Sequence, residues 1–172
     1  RLEGLNFFER LGAYSAGGAG PVTVESADDL VRLLTNRSVA VAPSELIAQS
    51  KDELRVPGLY SWWVDEVGAA ELSDGLDLHL EPGLIYAGLA GATRWPSGSP
   101  STNTLQARLV GMHLGRKHEF STFRRSLGAI LATRGQLGAI DEHSLTTWMH
   151  EHLRVIAVPY LDADNLGRLE SK

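Results

Sequence analysis

Cysteine is absent from this 172-residue chain, so it can form no disulfide and no thiolate metal site. Any metal must sit on oxygen or imidazole. The same absence points to the cytoplasm. Long apolar runs are missing too: none approaches the roughly eighteen residues of a membrane span, and no signal peptide is visible. A membrane partner is therefore not expected. The chain opens at Arg1 without an initiator methionine and stops at "LGRLESK" inside an expected helix, which predicts a fragment. Several catalytic signatures are also missing. There is no G-x-x-x-x-G-K-[ST], no G-x-G-x-x-G between a strand and a helix, no H-E-x-x-H and no G-x-S-x-G. Phosphate-cradling nucleotide sites, HExxH zinc proteases and nucleophile-elbow hydrolases are disfavoured together.

Positive charge is in short supply overall, with 16 Lys and Arg against 21 Asp and Glu and a net charge of −5. Its distribution reverses the implication. Residues 1–107 carry 7 basic and 14 acidic side chains, whereas residues 108–134 carry 6 basic (Arg108, Arg116, Lys117, Arg124, Arg125, Arg134) and only Glu119. A basic segment inside an acidic protein is what a focused anion site looks like.

Two short apolar runs, each opened by Pro-Gly, stand out: "PGLYSWWV" at 57–64 and "PGLIYAGLAG" at 82–91. Both read as strands. Alternation puts Tyr60, Trp62 and Val64 on one face of the first, and Leu84, Tyr86 and Gly88 on one face of the second. An acidic connection, 65–82, joins them. Helices are expected at 26–34 and 42–50, with Ser26 and Ser44 as N-caps. "TLQARLVGMHL" follows Thr102 and Asn103, its buried stripe being Leu105, Leu109 and Met112. Ser121 caps "TFRRSLGAILAT", a short helix covers 144–152, "LRVIAVPY" (153–160) is a third strand, and Asp162 or Asp164 opens a last helix. The fold class is α+β: a small three-stranded mixed or antiparallel sheet flanked by helices. Residues 1–50 form an N-terminal helical extension and residues 51–172 the main domain.

With "GLY" at 58–60 and "YAG" at 86–88, the chain resembles the GIY-YIG nuclease superfamily. The order of elements agrees: two signature strands, a helix bearing Arg108, a second helix, a third strand, and a helix bearing Glu170. "HEFSTFRRSL" (118–127) is similar to the histidine-containing segment of some members. The resemblance implies a divalent-metal-dependent endonuclease acting on DNA in preference to RNA, with Mg²⁺ or Mn²⁺ held by Glu170. One carboxylate suffices, because Mg²⁺ keeps several waters and substrate oxygens. Tyr60 would be the general base, or would pass a proton onward through a histidine; Tyr86 would bond the phosphate or the attacking water. Arg108 would stabilise the charge that develops on the phosphate. His113 lies one residue beyond the position the family favours, about 140° round an α-helix from Arg108, so His118 is the other candidate histidine. Gly58 and Gly88 would permit close approach of backbone or substrate, or mark bulges. Arg116, Lys117, Arg124 and Arg125 would contact backbone phosphates, and Trp95 is the candidate for base stacking. The alternative is a nuclease-like module that binds nucleic acid or protein without cutting. A small domain unrelated to nucleic acid is the third reading.

Overall fold

Tyrosine, tryptophan and valine fill the strand that begins at Gly58, and such side chains need cover on both faces of a pleated surface. In the computed structural model this strand, β1 (Gly58–Val64), takes the middle of a three-stranded sheet. The structure describes residues 27–49, 52–93, 97–99, 101–135, 139–162, 164 and 166. β2 (Gly83–Ala90) and β3 (Leu153–Pro159) flank β1, and both pair with it antiparallel. The sheet is thus antiparallel throughout, one of the two arrangements expected.

Two helices precede the sheet, α1 (Ala27–Leu34) and α2 (Pro43–Gln49). Ser26 lies outside the described residues, and Ser44 is the second residue of α2, not its cap; Pro43 takes the first helical position, where its missing N–H costs nothing. Leu30, Leu33, Val39, Val41 and Leu46 are buried in the same core as the strands. Val41 exchanges two backbone hydrogen bonds with Val155, 3.0 and 2.9 Å, which covers part of the free edge of β3. The Ser61 hydroxyl donates to the Leu34 carbonyl at 2.8 Å, so α1 backs the sheet on the Ser61 face.

The acidic connection is not a plain loop. It holds α3 (Glu66–Leu76), capped by Asp65, whose carboxylate accepts from the Gly68 N–H at 2.8 Å. After β2 comes a π-helical turn, Ala107–His113, then a 3₁₀ turn, His118–Phe120. Ahead of the π-helical turn the Ala107 N–H is satisfied by the Thr104 hydroxyl, which accepts from it at 3.2 Å, and not by Thr102 or Asn103, the expected caps. α4 (Thr122–Arg134) begins at Ser121 as expected, with Ser121 Oγ accepting from the Arg124 N–H at 3.0 Å. α5 (Glu142–His152) starts two residues before the expected span, because Asp141 supplies the cap. Only residues 164 and 166 are described of the last helix; Leu166 is buried. No helix among the described residues is long and apolar enough to cross a membrane.

Candidate active site

Antiparallel pairing decides which side chains share a face. Tyr60 stands opposite Gly88, and Trp62 opposite Tyr86, so the two signature tyrosines are diagonal neighbours on one face. Their ring centroids lie 6.2 Å apart. Gly88 is small for a physical reason: a Cβ there would stand 2.5 Å from Tyr60 Oη and 2.7 Å from its Cζ. Gly58 does comparable work at the start of β1, on the side facing β3, where a Cβ would meet the Val158 carbonyl oxygen at 2.3 Å. Neither glycine marks the bulge. That lies between Trp62 and Trp63, where β2 spends the extra residue Ile85 and Leu84 pairs with Trp63. Leu84 therefore leaves the Tyr86 face to which simple alternation assigned it.

The helix after β2 delivers both Arg108 and His113 to this face. An α-helix would have turned His113 away and buried Met112. The π-helical turn bonds i to i+5, as in Leu114 N–H to Leu109 O at 2.8 Å, and so sets residue i+5 where an α-helix sets i+4. His113 is consequently 2% exposed, and Met112 is only partly buried. The expected divergence of His113 from Arg108 is corrected by this wide turn. His113 Nε2 lies 2.8 Å from Tyr60 Oη, and His113 Nδ1 lies 2.7 Å from Ser121 Oγ. Trp62, Tyr86 and Phe123 wall the imidazole; Phe123 stacks on Tyr86 with centroids 4.7 Å apart and on Trp62 at 5.4 Å.

Electrostatics follow from this enclosure. Burial and the Arg108 charge hold His113 down at about 4, so the imidazole is neutral near pH 7. Burial chiefly, and then Tyr86, raise Tyr60 well above the usual phenol range, with the Arg108 charge pulling partly the other way. Arg108 Nε is buried and has no hydrogen-bond partner among the described residues. A guanidinium N–H that is out of water and unpaired is costly, and it is a donor waiting for an acceptor such as a phosphate oxygen. Trp62 Nε1 is the other buried donor without a partner among the described residues.

The remaining expected site residues divide. Arg124 is fully buried: Nε and Nη2 bind Glu142 Oε2 at 2.9 and 2.7 Å, Nη2 also donates to Thr146 Oγ1 at 2.6 Å, and Nη1 reaches Met149 Sδ at 3.3 Å. Its donors are engaged inside the fold, so its expected role as a phosphate contact is corrected to that of a buried strut between α4 and α5. His118 joins the same knot, with Nδ1 and its backbone N both 2.6 Å from Glu142 Oε1, apart from the Tyr60–His113 pair. Burial alone would raise the Glu142 carboxyl, but the His118 N–H, the Arg124 guanidinium and the His118 ring hold it below its ordinary value. Arg116, Lys117 and Arg125 are exposed; Lys117 Nζ sits 5.9 Å over the ring of Phe120. Glu170 and Trp95 lie outside the described residues. Sequence reasoning saw Ser121 only as a helix cap and left Phe123 in the core. The contact of Ser121 with His113 spans a turn whose geometry no local pattern announces.

Among the described residues no three His, Asp or Glu side chains gather as a metal site. The donor set of phenols, imidazole and guanidinium fits a hydrated Mg²⁺ or Mn²⁺ only once a carboxylate is added. No curated protein matches the chain, and no solved structure does. Residues 58–172 match the profile of the GIY-YIG catalytic domain. The match covers more than half of the sequence and includes both tyrosine strands, the π-helical turn and β3, so the chain belongs to the GIY-YIG nuclease superfamily.

Proposed function

We propose that this chain is a divalent-metal-dependent endonuclease that hydrolyses phosphodiester bonds of DNA in preference to RNA. Membership of the family supports a nuclease-type activity. The observation that carries the finer reading is Arg108: its Nε is buried and unpartnered among the described residues, and its charge acts on both Tyr60 and His113. A preorganised cation of this kind acts where negative charge grows on a phosphoryl group, in a setting with little competing water.

In this reading Tyr60 is the general base toward the attacking water, and Tyr86, the half-buried member of the pair, orients that water or a phosphate oxygen. Arg108 holds the scissile phosphate. Exposed Arg116, Lys117 and Arg125 contact flanking phosphates and supply affinity without sequence choice. Glu170 is the proposed ligand of Mg²⁺ or Mn²⁺. The cation, when bound, would neutralise the pentavalent phosphorane and the leaving oxygen. Residues 1–50 take an accessory role, with α1 backing the sheet on the face away from Tyr60.

Plasmid nicking with Mg²⁺ or Mn²⁺ tests the reading. The wild-type chain should relax supercoiled DNA, EDTA should stop it, and Glu170→Ala should abolish it. Salt-sensitive DNA binding with no cleavage under either metal would overturn the enzyme and leave the binding module.

A further inference from the structure

The Tyr60–His113–Ser121 chain has a direction that can be read from its hydrogen count. Among the described residues Ser121 Oγ has two partners, the Arg124 N–H at 3.0 Å and His113 Nδ1 at 2.7 Å. The Arg124 amide can only donate. The Ser121 proton then has one partner able to receive it, His113 Nδ1, and a buried hydroxyl that left its proton unpaired would pay a desolvation cost. Ser121 itself is 2% exposed, so no solvent competes. His113 is neutral at pH 7 and carries one N–H, which must therefore sit on Nε2 and point at Tyr60 Oη, 2.8 Å away.

We propose that Ser121 is a positioning residue that fixes His113 as the Nε2–H tautomer, so that the imidazole donates to the Tyr60 oxygen and does not take its proton. This rests on the nuclease reading for its catalytic meaning and on geometry alone for the tautomer. The chain runs Arg124 N–H to Ser121 Oγ–H to His113 Nδ1, then His113 Nε2–H to Tyr60 Oη. Each donor in the chain points toward the Tyr60 end, and the last hydrogen, on His113 Nε2, meets the phenol oxygen, an arrangement that stabilises a phenolate in a buried site whose surroundings otherwise oppose it. The proton that Tyr60 must shed before it can accept one from water leaves through its own O–H, on the side that faces Tyr86, to solvent water. The phenolate oxygen then takes a proton from the attacking water, the hydroxide so formed bonds to phosphorus, and the opposite phosphorus–oxygen bond breaks, its leaving oxygen taking a proton from solvent. A histidine protonated on Nδ1 would face Tyr60 with a lone pair and would hold the phenol in its neutral form.

The ¹⁵N shifts and ring-proton correlations of His113, assigned by their loss in His113→Gln, read the tautomer directly in the metal-free protein. The expected pattern is a pyrrole-type Nε2 and a pyridine-type Nδ1; a pyrrole-type Nδ1, or equal populations, overturns the proposal whether or not the protein cuts DNA. Ser121→Ala should mix the tautomers and lower the cleavage rate constant about tenfold, the size of one lost hydrogen bond, with KM for DNA within about twofold. Ser121→Thr keeps both the hydroxyl and the helix cap and should restore the rate and the tautomer. Wild-type tautomer with no cleavage by the wild-type chain would sink the nuclease reading while leaving the relay standing. Cleavage by Ser121→Ala at the wild-type rate would remove Ser121 from the mechanism.

Discussion

Replacing Gly88 by alanine adds one methyl group at the tightest point of the candidate site. The new Cβ would stand 2.5 Å from Tyr60 Oη, 2.7 Å from Cζ and 3.2 Å from Cε2, whereas ordinary contact begins at 3.4 Å. The difference asks the phenol tip to retreat about 0.9 Å, an overpacking that costs about 1–3 kcal/mol in a well-packed interior. Gly88 has no left-handed backbone angle, so the cost is steric and not conformational. Retreat has nowhere easy to go, because Oη is held by His113 at 2.8 Å and the tyrosine is 2% exposed. At roughly 2–4 °C per kcal/mol for a chain of this size, the melting temperature should fall by about 2–12 °C. Cleavage should fall more steeply, about a hundredfold, because misplacing a reacting group by about 1 Å has that order of effect. Calorimetry would be run on Gly88→Ala alone and in a Tyr60→Phe background, and plasmid nicking on Gly88→Ala alone. Without the hydroxyl only the ring-carbon contacts remain, so the two changes should couple by about 0.5 kcal/mol or more. A Gly88→Ala protein with unchanged melting and unchanged cleavage, or strict additivity in the cycle, would refute the placement of Tyr60 over Gly88.

Three further outcomes follow from the same geometry. Arg108→Ala should lower cleavage by about 10²–10³ while changing folding stability by less than about 0.5 kcal/mol, since its Nε makes no bond among the described residues; equal losses of both in kinetics and urea melts would make it structural. For pH, folded His113 takes its proton near 4 while the unfolded chain does so near 6.5. Between those values the unfolded state binds more protons, so its contribution to stability is full above about 6.5 and lost as pH falls toward 4, by about 3 kcal/mol. Urea unfolding at pH 7 and pH 4.5 should show that loss, and His113→Gln should flatten it. Arg124→Ala leaves Glu142 without its guanidinium and should cost about 3 kcal/mol, whereas Arg125→Ala, on the surface, should leave stability within about 0.5 kcal/mol and reduce the salt slope of DNA binding by about 1.

Much of the fold was legible because its strands and most helices obey local rules. "PGLYSWWV" reads as a buried strand from composition alone, and Ser121 reads as a cap because a serine precedes an apolar-periodic run. What escaped depended on long-range partners. α3 was hidden by Gly68 and Gly75 and by its acidic surroundings, although Asp65 is a good cap. Arg124 looked like a surface cation in a basic run; only Glu142, 18 residues away, reveals it as half of a buried pair. Alternation along β2 failed at Ile85, since a bulge changes the faces of every residue before it and has no signature without glycine.

His113 is the sharpest case, and it yields a further test. Counting residues at an α-helical pitch rotates His113 away from Arg108, and that arithmetic is right for an α-helix. The chain defeats it by widening one turn, which places an extra residue without moving either functional side chain off the site. Gly111 is the natural candidate for that residue: it is exposed, and a Cβ there would meet nothing within 4 Å. Deleting Gly111 should therefore convert the π turn to an α turn, with His113 falling four places after Arg108 and on the same face. The site should survive the loss. We expect the deletion variant to fold, to keep the His113–Tyr60 bond as judged by the buried imidazole's resistance to protonation near pH 5, and to cleave within about tenfold of the wild-type rate. A π turn is rare because α-helical bonding is better for most sequences, so the melting temperature should hold or rise. Unfolding on deletion, or a His113 that titrates like a solvated imidazole, would show that the wide turn is required for more than register.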